Sequence, residues 1–139
     1  MLKLYNIFKN IILEERKNLI FENVSYAQVN DAIDKRCRVK IEYKDYEDKP
    51  PSKRFIEVYS LGLSKAGNPV IRAYQLFGGT TTEIPKWKFF RLDKITRWEA
   101  VPKVKFNTPI DVRDPVVPKF NPNGDKSMST VNKMIKFNK

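Results

Sequence analysis

Arg54, Tyr59, Arg72, Tyr74 and Arg91 mix guanidinium and phenol groups through the middle of the chain, with Trp87 and Trp98 close by. Guanidinium forks grip phosphate oxygens two at a time, and aromatic rings stack on bases for about 1–3 kcal/mol each, so the mixture suits a nucleotide or single-stranded nucleic acid. The same residues have a plainer use, with the arginines paired to Glu57, Glu83, Asp93 or Glu99 and the tryptophans covering a core. Lys and Arg outnumber Asp and Glu by 27 to 16, and a formal charge of +11 favours a polyanionic partner over a neutral one.

Other chemistry is hard to assemble. The chain has no histidine, which removes the commonest general base and the commonest metal ligand, and its one cysteine, Cys37, builds neither a thiolate zinc site nor an internal disulfide. The expectation is a protein that is not an enzyme and uses no cofactor or metal. A single thiol fits a reducing, cytoplasmic setting, and without a base beside it Cys37 is a structural group. Glu42, Asp45, Glu47 and Asp48 lie among lysines and read as a solvated charge run. The stretch FGGTTT (77–82) offers amides and hydroxyls to a phosphate, but it lacks the lysine and the strand-to-helix setting of a P-loop and reads as a flexible loop.

The elements that must position these groups follow from periodicity. Leu4, Ile7, Phe8, Ile11 and Ile12 recur at helical spacing, predicting an amphipathic helix over 2–17. Lys9, Asn10 and Glu14 interrupt it, so it is no membrane segment. Ser25 is an N-cap for a second helix carrying Val29, Ala32 and Ile33 inward to Lys35 or Arg36. The period then changes to two. Strands are predicted at 38–43, 54–63, 68–77, 86–92 and 96–101, with Gly67 turning the hairpin between the second and third. Alternation sets Ile71, Ala73, Phe90 and Leu92 toward the core, and Val70, Arg72, Tyr74, Trp87, Phe89 and Arg91 away from it. From Pro102 on, five prolines (102, 109, 115, 118 and 122) predict an extended tail lying along a surface, closed by a short helix over the Met128–Phe137 stretch.

The run from VNDAIDKRCRVKIEYKD through RFIEVYSLGLSKAGNPVIRAYQ to WKFFRLDKI resembles a WYL domain, a bacterial and phage module built on an Sm-like barrel. The shared features are the helix leading into the first strand, the arginine opening the second, the Ala73-Tyr74 pair, and the closing motif on Lys88, Phe90, Arg91, Leu92, Asp93, Lys94 and Ile95. The chain departs from the pattern where the naming Trp-Tyr-Leu triplet falls on Pro69, Val70 and Ile71, and where Val58 replaces a proline.

The resemblance implies a mainly β (α+β) fold: a small five-stranded Sm-like barrel over 25–101, preceded by one or two helices with an N-terminal helix and linker over 1–24, and followed by a proline-rich tail over 102–139 with a short C-terminal helix. It implies binding of nucleic acid or a nucleotide-type ligand, and adds Gln75, Lys88 and Lys94 to Arg54, Tyr59, Arg72, Tyr74 and Arg91 as the binding set. The 24 residues ahead of Ser25 are too few for the winged helix-turn-helix that often accompanies such modules. Two functions are therefore expected from different classes. One is a regulatory or accessory binding module of a larger bacterial or phage complex, in the bacterial cytosol. The other is a structural or interaction protein that associates with itself or a partner through residues 2–17 and 102–139 and has no ligand.

Overall fold

The computed structural model describes residues 24–79 and 85–137. The predicted helix over 2–17 and most of the loop between the third and fourth strands lie outside the described residues.

Helix α1 (Tyr26–Lys35) begins at a capping box: the Ser25 hydroxyl accepts from the Gln28 amide at 3.2 Å, and the Gln28 side chain accepts from the Ser25 amide at 2.9 Å. Reciprocal capping of this kind satisfies amides that the first turn leaves open, and a cap contributes about 1 kcal/mol. The helix stops because Arg36 turns left-handed, at φ 51°, sending its amide back to the Ala32 and Ile33 carbonyls. Val29, Ala32 and Ile33 are buried against the sheet, as their spacing predicts.

The strands are β1 (Cys37–Tyr43), β2 (Ser52–Ser64), β3 (Pro69–Gly78), β4 (Lys86–Arg91), β5 (Ile95–Lys105) and β6 (Met128–Met134), with a single 3-10 turn at Leu92–Lys94 and a four-residue helix, α2, at Ile110–Arg113. All pairings are antiparallel, in the order β4-β3-β2-β1-β5, with β6 added on β2. No ladder joins β4 to β5 among the described residues, so the sheet is open and has six strands where five were expected.

The long strand β2 organises this sheet. It pairs with β3 along nearly its whole length, but its other edge is shared: residues 52–56 pair with β1 and residues 60–64 with β6. Bulges at Phe55/Ile56 and Val58/Ser60 mark where the partner changes, and such irregularities bend a strand and tighten its twist. One face of the sheet carries Val39, Ile41, Ile56, Val58, Leu61, Ile71, Ala73 and Phe90, all buried. The other face, called outer below, carries Arg38, Lys40, Phe55, Glu57, Arg72, Tyr74 and Trp87, as the cross-strand pairs Lys40 with Phe55, Glu57 with Tyr74 and Tyr74 with Trp87 require.

The C-terminal expectation needs correcting. Residues 128–134 form a strand, not a helix. The open second half of the β2 edge supplies hydrogen-bond partners that an isolated short helix lacks, and Ser129, Thr130 and Val131 suit a pleated surface. Gly62 makes the approach possible: a Cβ there would stand 2.1 Å from the Thr130 carbonyl oxygen. β5 also runs past Pro102, to Lys105. The ladder to β1 jumps from Val101 to Lys105 at that point, so Pro102 occupies a break where no amide is needed.

Candidate ligand-binding face

Glu57 is completely buried, and three donors converge on it. Arg38 donates from Nε to Oε2 at 2.9 Å, the Tyr59 hydroxyl donates to Oε1 at 2.9 Å, and Arg113 of α2 reaches the same Oε1. Tyr59 in turn accepts from the Ile110 amide at 2.8 Å, so one carboxylate and one phenol tie the start of α2 to the sheet. Burial, reinforced by the neighbouring Glu57 charge, pushes the Tyr59 phenol far above its ordinary range, and it stays a neutral donor.

Around this polar centre the tail lays an aromatic cover. The Tyr59 ring lies 4.8 Å from Trp87 and 4.9 Å from Phe120, with Phe106 and Phe137 at its other sides. Trp87 also meets Tyr74 edge-on at 5.3 Å and donates its indole N–H to the Pro118 carbonyl at 2.8 Å. Further along β3, Arg72 forms a two-pronged pair with Asp125, Nε to Oδ2 at 2.8 Å and Nη2 to Oδ1 at 3.2 Å, with its guanidinium 4.4 Å above the Phe89 ring.

The expected binding residues divide among three places. Tyr59, Arg72 and Tyr74 lie on the outer face beneath the tail, and Tyr74 is only 6% exposed. Arg54 and Gln75 lie on the core face, where Arg54 is nearly buried: Nη1 donates to Gln75 Oε1 at 2.8 Å, Nε donates to Ser52 at 3.1 Å, and Nη2 meets Asp45. The Arg54 guanidinium also lies 5.7 Å from the Tyr43 ring and 5.6 Å from Phe90. Lys88 stands opposite Ala73 on that core-facing row. Arg91 precedes the 3-10 turn and Lys94 is its last residue, and Arg91 donates from Nε to Asp93 Oδ1 at 2.9 Å. The single curved patch expected from the sequence is thus not assembled: Arg54 and Arg72 stand on opposite faces of the sheet.

Sequence reasoning missed a second region of the outer face. Phe55 and Phe77 stack with ring centroids 5.0 Å apart and 29° between planes, and Phe77 is 63% exposed. They border a groove of about 500 Å³ shared with Lys40, Lys53, Arg97 and the carboxylates Glu42 and Glu99. The signal was present as Phe55 beside Arg54 in RFIEVYSLGL and as Phe77 at the head of FGGTTT, but those stretches stand out for their strand pattern and their amides, not for their rings.

Cys37 is buried and its thiol is pushed up, first by burial and then by Asp31, so it is not activated by its arginine neighbours. Among the described residues no cluster of three or more His, Cys, Asp or Glu is placed to hold a metal, and no helix is long and apolar enough to cross a membrane.

The WYL domain family model matches residues 25–100, which is α1 through most of β5. No curated protein and no solved structure matches the chain.

Proposed function

Because the chain belongs to the WYL domain family, whose members are in general ligand- or nucleic-acid-binding regulatory modules, we propose that it is a non-enzymatic binding module for nucleic acid or a nucleotide-type ligand, regulatory or accessory to a larger bacterial or phage complex. The bent β2 and the turn linking β4 to β5 support an Sm-like barrel that is incompletely closed. One observation carries the ligand class. The Arg72 guanidinium is held 4.4 Å above the Phe89 ring with both prongs on a single carboxylate, Asp125. A phosphate makes the same two-pronged contact with arginine, so Arg72 is a preformed seat for an oxyanion that the tail now fills. Arg91 ends β4 and Lys94 closes the 3-10 turn after it, where a polyanion leaving Arg72 would continue, while Lys88 on the core-facing row lies off that path.

A salt titration tests this. A labelled single-stranded oligonucleotide is expected to bind at least as well as duplex, with an affinity that falls steeply as salt rises. Replacing Arg72 and Arg91 by Ala should weaken binding more than replacing the tail lysines Lys119 and Lys126. Absence of binding at low salt, or equal loss from the two pairs of substitutions, overturns the reading.

A further inference from the structure

We propose that the groove beside Phe55 and Phe77 is a nucleobase-binding site for single-stranded nucleic acid, with the Phe77 ring, exposed among the described residues, as its stacking platform. The proposal rests on the nucleic-acid reading above and adds a site and a base preference to it. The groove is built from two adjacent cross-strand rows. The first runs Phe77, Phe55, Lys40 and Glu99 across β3, β2, β1 and β5; the next runs Lys53, Glu42 and Arg97 across β2, β1 and β5.

The aromatic pair is the first argument. Phe55 supports one side of Phe77, and Phe77 leaves most of its surface in water at the end of a strand. A large ring is usually covered, and a supported ring with a free face is the geometry on which a base stacks. Its place is fixed by the backbone: Gly78 follows at φ 111°, a Cβ there would stand 2.3 Å from the Lys53 carbonyl oxygen, and the Gly79 amide closes the turn onto that same carbonyl at 2.8 Å.

Charge is the second argument. Lys40, Lys53 and Arg97 are exposed, and among the described residues none of them has an acidic partner within 4.0 Å. That contrasts with Arg38, Arg54, Arg72, Arg91 and Arg113, each of which has one. The three cations flank the ring on the side of β1, β2 and β5, where the phosphates either side of a stacked base would lie. Glu42 and Glu99 accept hydrogen bonds and donate none, so they select a base with an exocyclic amino group, as carboxylates do with the cytosine amine. Amino-bearing bases are therefore expected ahead of thymine, and oligodeoxycytidine against oligodeoxythymidine is the pair that reads this.

Fluorescence anisotropy with labelled oligodeoxycytidine tests the site, with inorganic polyphosphate as a competitor that has charge and no bases. Phe77→Leu keeps the apolar bulk but removes the ring; it should weaken oligodeoxycytidine roughly 5- to 150-fold while leaving polyphosphate affinity and the thermal midpoint unchanged. Replacing Lys53 and Arg97 together by Ala should reduce the slope of log affinity against log salt by about 1.4. Glu42→Gln should narrow the preference for cytidine over thymidine. If Phe77→Leu binds oligodeoxycytidine as the parent does, or if sedimentation shows a parent dimer that Phe77→Leu dissolves, the groove is not a base site. Parent protein that binds no oligonucleotide at low salt removes the broader nucleic-acid reading as well, so the two failures are told apart.

Discussion

The outer face of the sheet has two halves that differ in how they treat charge. In the half around Glu57 every named charge is matched: Glu57 by Arg38 and Arg113, Arg72 by Asp125, and two of those partners come from the tail. In the half around Phe55, Lys40, Lys53 and Arg97 stand in solvent without such partners among the described residues. The aromatic rings follow the same division, Tyr59 being sealed beneath Trp87 and Phe120 while Phe77 is left open. A basic and aromatic composition therefore has two meanings within one sheet. Where the tail lies it builds a second core, and where no described tail residue lies it leaves a ring and three cations exposed.

Removing Glu57 should break the covered half most severely. Glu57→Ala leaves Arg38, Arg113 and the Tyr59 hydroxyl without their common acceptor, and stripping one partner from a buried charge cluster costs about 3–5 kcal/mol. Urea denaturation is expected to show that loss as a lowered midpoint, whereas a change of less than about 1 kcal/mol would mean the cluster relaxes into water and the tail is not anchored there. Gly62→Ala comes next. Its new Cβ has to push β6 away from β2, because Thr130 and the Met128 sulfur occupy the space, and overpacking of this kind costs about 1–3 kcal/mol. Hydrogen exchange should then show β6 amides losing protection while those of β1 and β5 in the open half keep theirs.

Much of the covered half could be anticipated from local signals, and its most important contacts could not. Ser25 announced α1, and the period-two pattern placed β1 to β5 within a residue or two at most ends because each strand has one buried face. Alternation also assigned Ile71 and Ala73 to one side and Arg72 and Tyr74 to the other. What failed was long-range. β6 takes its conformation from an edge of β2 that is 66 residues away along the chain at Ser129 and Leu63, and no local propensity reports that edge. Nothing local to Asp125 signals that its carboxylate is spent on Arg72, 53 residues earlier. The plainer use of the arginines held in kind, since Glu57 and Asp93 do serve as partners, but Asp45 and Asp125 were not on the expected roster.

The smallest stability effect is the one that bears most directly on function. Burial by itself would raise the Asp125 carboxyl, but hydrogen bonds from Arg72 and from the Ser127 amide, with the charge of Arg72, outweigh it and hold the group below the usual carboxylate range. A carboxyl whose folded pKa lies below its unfolded value of about 3.9 stabilises the fold above that pH, and the contribution is lost as pH falls from there through the folded value. Asp125→Asn should therefore cost about 1–2 kcal/mol near neutral pH, the scale of a charge-assisted hydrogen bond, and should flatten the part of the acid limb below about pH 4. The same substitution removes the charge and one of the two acceptors from the Arg72 fork. If an oxyanion ligand takes the place of the tail carboxylate, Asp125→Asn binds a labelled oligonucleotide more tightly than the parent even as its thermal midpoint falls, and Arg72→Ala in the same background abolishes the gain. A parallel fall of stability and affinity would instead show that the tail supports the ligand face, and the covered half would be a structural core with no seat to offer.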